Sequence, residues 1–287
     1  MNIQKNIHIP GSNGRIMLTD IFFVKDHKRK PLVIFVHGFK GFKDWGHFDR
    51  VGEEFAKAGF VFIKFNFSHN GTTIEDPWNF SDLEAFGNNN FILELNDLQI
   101  VIDFWQKESS SDSINIKELR EQIDRNKIYL LGHSRGGGIT ILKAGEDTRV
   151  KKIATWASVS AFVGRHKQRT IDTWEKEGVV YAMNGRTKQN MPMYYQFYKT
   201  ILENKERLNI NHAVKRLEIP FLIVHGTNDE AVPFHDAEEL RMSARKGELL
   251  KIEGGDHTFG IKHPFDGVLT SDAKKVIEET IHFFRRE

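Results

Sequence analysis

The chain has no cysteine in its 287 residues. That removes disulfides, thiolate metal sites and a cysteine nucleophile, and is compatible with the cytoplasmic location expected here. No stretch approaches the roughly 20 apolar residues of a membrane-spanning helix. Residues 1–10 alternate apolar and polar side chains and lack the apolar core of a secretory signal. A dominant charge is absent too: 41 basic residues stand against 39 acidic ones, for a formal net charge of +2. A nucleic-acid partner would need a clustered basic face, and the basic residues are dispersed. The one short run, His27-Lys28-Arg29-Lys30, reads as solvated surface in a hairpin turn. Phosphate loops, dinucleotide fingerprints and zinc spacings are missing, since His257 with Asp256 and His235 with Asp236 are merely adjacent pairs. The expectation is therefore no cofactor, no metal, no nucleic acid and no membrane. A monomer or homodimer is expected, with a small molecule as its partner.

What is present is an ordinary globular composition, 39% hydrophobic and 28% charged, which argues against disorder and coiled coils. Isoleucines at 3, 7 and 9 precede the turn Gly11-Ser12-Asn13-Gly14, and residues 16–24 follow it, the signature of a hairpin. Continuous apolar runs then occupy 32–36, 60–67, 128–131, 153–156, 221–224 and 249–252. Lys64 and Asn66 interrupt the second of them. Such runs suit strands buried on both faces of a parallel sheet. Between them, Phe91, Leu95, Leu98, Ile102 and Trp105 share one helical face, as do Val276, Ile277, Ile281 and Phe284. Strands alternating with helices predict an α/β fold with a mostly parallel central sheet, helices on both faces and the leading hairpin at an antiparallel edge.

Residues 158–216 break the alternation. Met191, Tyr194, Tyr195, Tyr198, Ile201 and Leu202 fit one helical face there, and residues 170–177 fit another short helix. The reading is a helical cap inserted between the two parts of the core, 1–157 and 217–287. Residues 109–113 read as a polar loop.

The strongest local signal is Gly132-His133-Ser134-Arg135-Gly136-Gly137, a G-x-S-x-G between a strand and a helix. The glycines permit a tight, strained turn that exposes the serine hydroxyl at the carboxyl end of the sheet. A serine hydroxyl needs an adjacent base, and histidine is the side chain best suited near neutral pH. Of thirteen histidines, His257 stands out, in a glycine-flanked loop after the last strand. The acid that orients it should lie between serine and histidine in the chain. Asp229, directly after the strand at 221–224, fits better than Glu230 or Asp256. Acyl transfer also needs donors for an oxyanion. The backbone N–H groups of Arg135, after the serine, and Phe39, in the loop after the strand at 32–36, are the candidates. His37 is placed as a brace of that loop or a substrate contact. Phe42, Trp156, Tyr194 and Tyr198 are candidate substrate contacts.

These residues carry a resemblance. His37-Gly38-Phe39, the serine turn, Asp229 in H-G-x-x-D-x-x-V-P and His257 are similar to the α/β-hydrolase family. Within it, they resemble the branch of dienelactone-hydrolase-like proteins, cinnamoyl or feruloyl esterases and serine aminopeptidases, over roughly residues 30–285. The resemblance implies cofactor-free hydrolysis of esters, thioesters or sometimes peptides. Dienelactone hydrolases proper use a cysteine nucleophile, which this chain lacks. The expected activity is therefore that of a serine carboxylesterase acting on small to medium, including aromatic, acyl groups. An aminopeptidase, an acyl-peptidase, a thioesterase and a non-catalytic scaffold on the same fold are the alternatives.

Overall fold

The computed structural model describes residues 1–26, 28–107 and 113–287. His27 and most of the loop expected at residues 109–113 lie outside them. An eight-stranded sheet forms the centre, in the order β1 (Asn2–Pro10), β2 (Ile16–Phe23), β4 (Val61–Phe65), β3 (Lys30–Val36), β5 (Ile123–His133), β6 (Val150–Trp156), β9 (Phe221–Gly226) and β10 (Gly247–Ile252). From β4 to β10 all neighbours are parallel, while β1 and β2 form the antiparallel edge. Helices α1 (Phe48–Lys57) and α10 (Ser271–Arg285) cover one face, where Phe35, Phe55, Phe62 and Ile277 pack. Helices α3 (Phe91–Gln106) and α5 (Arg135–Glu146) cover the other over Ile34, Ile63, Leu130 and Ile223. Short helices α2 (Leu83–Gly87) and α4 (Ile114–Glu121) lie before and after α3, and α9 (Phe234–Ser243) packs on β9 and β10. Burial of the central strands on both faces is why their sequences are continuously apolar rather than alternating.

The polar interruptions at the second strand also have a cause. Lys64 is fully buried but meets Asp20 at 3.0 Å and Asp49 at 2.6 Å. Lys43 meets Asp20 at 2.9 Å, and its backbone N–H donates to Asn66 Oδ1 at 2.6 Å. A buried ion pair survives only when its charges are answered. Here the lysines neutralise the carboxylates of Asp20, Asp44 and Asp49 beneath the loop that follows β3.

Two expectations are corrected. The basic run at 27–30 is not a hairpin turn, because β4 lies between β2 and β3 in the sheet. Its Lys30 is buried and paired with Asp26 rather than solvated. The insertion is not purely helical either. It holds α6 (Gln168–Glu177), the antiparallel pair β7 (Val179–Met183) and β8 (Asn190–Tyr194), and α7 (Gln196–Glu203). Met191 and Tyr194 therefore lie on a strand, and Tyr195 caps the helix that holds Tyr198, Ile201 and Leu202. Because β8 runs straight into α7, its apolar residues continue the helical spacing by coincidence. Helix α8 (Ile210–Arg216), the last of the stretch, packs on α5 and α9 as part of the core.

Candidate active site

Ser134 sits between β5 and α5 with φ 57° and ψ −122°, a backbone conformation that costs a non-glycine residue roughly 1–3 kcal/mol. The surroundings hold it there. Its N–H donates to the Trp156 carbonyl at 2.8 Å, and its own carbonyl accepts from Gly137 N–H at 2.9 Å. Gly136 is required by close approach: a Cβ there would stand 2.3 Å from the Val36 carbonyl oxygen and 2.4 Å from that of His37. The serine turn is thus wedged against the end of β3, and Ser134 Oγ stands at the carboxyl edge of the sheet.

His257 and Asp229 reach the same point from later loops. Ser134 Oγ lies 3.0 Å from His257 Nε2, and His257 Nδ1 lies 2.7 Å from Asp229 Oδ2. With Nδ1–H donating to the carboxylate, Nε2 is left as an acceptor for the serine hydroxyl. Asp229 Oδ1 accepts from the N–H groups of Ala231 and Val232, at 2.9 and 2.8 Å. Burial alone would raise the Asp229 carboxyl. Hydrogen bonds from His225 and His257, the electrostatic influence of His257 and the Val232 N–H outweigh that and hold it well below the usual carboxylate range. The two alternatives lie elsewhere. Glu230 is exposed, and Asp256 Oδ1 closes its own turn by accepting from Thr258 and Gly260 N–H.

Two histidines that were not assigned a role also shape this chain of bonds. His225 is buried on β9, four residues before Asp229, with Nε2 2.9 Å from the Val232 carbonyl and 3.3 Å from Asp229 Oδ2. It fixes the acid from behind. The His-x-x-x-Asp spacing of residues 225–229 was the available signal. His133 Nε2 stands 3.0 Å from the His257 carbonyl, and its pKa is pushed down to about 3 by desolvation and by the neighbouring His257. The neutral ring donates to that carbonyl and ties the His257 loop to β5.

The loop after β3 is built to face Ser134. A Cβ on Gly38 would stand 2.9 Å from Ser134 Cβ, so only glycine lets the backbone come this close. His37 Nδ1–H donates to the Gly38 carbonyl at 2.9 Å, and Nε2 accepts from Phe67 N–H at 3.3 Å. The N–H groups of Phe39 and Arg135 flank Ser134, and neither has a hydrogen-bond partner among the described residues. For Arg135 this follows from its place as the first residue of a helix.

Two cavities meet at Ser134, and Phe39, Lys40, Ser134 and His257 line both. The larger, of about 590 Å³, is walled by Phe91, Phe162, Met193, Phe197 and Val232. The smaller, of about 260 Å³, is bounded by Trp45, Phe48, His133, Asn184 and Arg186. Arg135 lies under the larger one. Its guanidinium stacks 4.1 Å from the Phe39 ring centroid and meets Glu94 at 3.3 Å.

The expected substrate contacts line neither cavity. His37 is buried with both ring nitrogens engaged, and Phe42 is buried against Phe80 and His263. Trp156 lies in the core with Nε1–H donating to Thr280 Oγ1 at 2.9 Å. Tyr194 bonds to Glu84, and Tyr198 packs on Trp174 and Tyr195. Each is a structural aromatic or brace. Besides Phe39 of the loop after β3, the phenylalanines that do line the larger cavity come from α3, α7 and the start of the insertion.

Buried neutral histidines set the response to acid. Burial pushes both His37 and His47 down to about 4, against about 6.5 for an unfolded histidine. Between those values the unfolded chain binds more protons, so the free energy of unfolding falls as pH falls from about 6.5 to 4. His47 stacks nearly parallel to Trp156, and its Nδ1 has no partner among the described residues. His47→Phe is expected to flatten that slope by up to about 1.4 kcal/mol per pH unit. Urea unfolding at several pH values checks it, and parallel curves for the two proteins would refute it.

Comparison with known proteins agrees with this architecture. Residues 31–181 match the family model described as the alpha/beta hydrolase fold. A Mycoplasma genitalium protein carried as a candidate esterase/lipase is 30% identical over 284 residues, spanning 90% of this chain and 95% of its own. Est1E from Butyrivibrio proteoclasticus, solved with ferulic acid bound, superimposes with a TM-score of 0.71 at 20% identity, over 96% of this chain and 97% of its own. The esterase domain of a Rhodothermus marinus protein gives a TM-score of 0.65 at 19% identity, over 100% and 99% of the two chains. The chain belongs to the α/β-hydrolase family. No helix among its described residues is long and apolar enough to cross a membrane.

Proposed function

We propose that the protein is a serine esterase that hydrolyses carboxylic esters through an acyl-enzyme on Ser134. The observation that carries this is the unbroken chain of hydrogen bonds from Ser134 Oγ through His257 to Asp229, standing where two cavities meet. Ser134 Oγ attacks the ester carbonyl while His257 Nε2 takes its proton. The negative oxygen is held by Phe39 and Arg135 N–H. His257 then gives the proton to the departing alkoxide. Water, deprotonated by His257, releases the acid and restores the serine. Asp229 holds the tautomer and stabilises the imidazolium.

The two cavities suit the two halves of an ester. The phenylalanine walls of the larger favour an apolar or flat aromatic acyl group, in keeping with the ferulic acid bound by Est1E. An aminopeptidase would need carboxylates to receive the substrate ammonium. The linings of both cavities carry lysine and arginine and no aspartate or glutamate, which favours the esterase. The test is a panel of butyryl and hydroxycinnamoyl esters beside aminoacyl amides. Ester turnover with amides untouched is expected, whereas faster release of N-terminal residues would overturn the reading.

A further inference from the structure

The two cavities share Lys40 and differ in how their arginines are answered. In the larger one, Arg135 meets Glu94 at 3.3 Å and Arg165 meets Asp236 at 2.8 Å. The smaller one is different. Lys40 Nζ donates to the Met183 carbonyl at 2.9 Å and lies 5.5 Å from the Phe39 ring centroid, while among the described residues Arg186 meets only the Trp78 carbonyl at 3.4 Å and the face of Phe42. Neither has a carboxylate partner among the described residues, and no acid lines the cavity. Asn184 adds to the same character. Its Oδ1 is used by the N–H groups of Arg186 and Thr187, while its Nδ2 has no partner among the described residues. The cavity therefore presents two cations and an amide donor, within reach of Ser134 and His257.

A half-buried cation with no counter-charge is costly. The charged form of Lys40 is disfavoured by burial and by the nearby Arg135, so a bound anion would relieve it. We propose that the smaller cavity receives an anionic group, carboxylate or phosphate, carried by the ester a few bonds from its scissile carbonyl. Lys40 and Arg186 would then be its ligands. Charge-assisted hydrogen bonds of this kind are the stronger class. The proposal rests on the esterase reading and narrows it to esters of charged acids or charged alcohols. Arg186 lies on the exposed turn between β7 and β8, so its replacement costs the core only its contact with the face of Phe42.

The experiment compares phenyl butyrate with three anionic relatives. Para-carboxyphenyl butyrate and its phosphoryloxy analogue carry the charge on the alcohol side, and monophenyl glutarate carries it on the acyl side. Each kcat/KM is divided by that ester's own hydroxide-catalysed rate. At least one anionic ester is expected to exceed the neutral one by about tenfold, and which one tells the side that enters the cavity. Arg186→Gln should lower that ratio about tenfold, Arg186→Glu should lower it further, and added salt should shrink it. Equal rates for neutral and anionic esters, or a preference unchanged by both variants, would overturn the proposal while leaving an esterase. Absence of turnover on every ester would overturn the esterase reading as well.

Discussion

Ser134→Ala is expected to lower kcat for ester hydrolysis on the order of 10⁶-fold while the protein stays folded. The magnitude follows from systems in which serine and histidine act as one unit, so that removing either forfeits nearly all of their joint effect. The fold should survive because the bonds that hold the turn are made by the backbone, from Ser134 N–H to Trp156 and from Gly137 N–H to Ser134. Alanine accepts the same strained φ at similar cost, and the glycine contacts around the turn do not change. The check is single-turnover and steady-state kinetics on a butyryl ester beside circular dichroism and thermal melting. Retained activity in a folded variant would remove Ser134 from the mechanism.

Asp229→Asn is expected to lower kcat on the order of 10⁴-fold with little change in KM. The direction follows from hydrogen-bond accounting. Oδ1 accepts from two N–H groups, those of Ala231 and Val232. Only the amide oxygen can take that place, so the asparagine is forced to present its NH₂ where Oδ2 stood, toward His257 Nδ1. An NH₂ donates, and His257 Nδ1 must then accept. The ring proton moves to Nε2, the atom that has to take the proton of Ser134 Oγ 3.0 Å away. The base is lost although each side chain remains where it was. Steady-state kinetics tests this, and a loss of less than about tenfold would mean that the tautomer is set by something other than Asp229.

Much of this arrangement is readable from the chain because strong local signals coincide with it. Central strands buried on both faces have to be continuously apolar, and the serine turn needs glycines that a core strand would otherwise exclude. The chain order Ser134, Asp229, His257 then follows the strand order toward β10. Other parts obey forces that act only in three dimensions. The β7–β8 pair is short, and its apolar residues run on into α7 at helical spacing, so period alone assigns it to a helix. Aromatic residues such as Phe42, Trp156 and Tyr198 are as useful to a core as to a binding site, and only their place relative to the cavities separates the two uses. Arg186 and Lys40 look like ordinary surface cations until the cavity between them, without an acid, is seen. His225 was visible as a spacing, four residues before Asp229, but its meaning depended on the carboxylate lying behind the His257 ring.

The most direct test of the central claim is labelling with a fluorophosphonate, followed by peptide mass spectrometry. A fluorophosphonate reacts with a serine that an adjacent base and an oxyanion site have activated. The mechanism predicts one adduct per chain, on Ser134, formed in step with loss of ester turnover and absent from Ser134→Ala. An unlabelled wild-type protein that still hydrolyses esters, or an adduct on another residue that accounts for the lost activity, would contradict it.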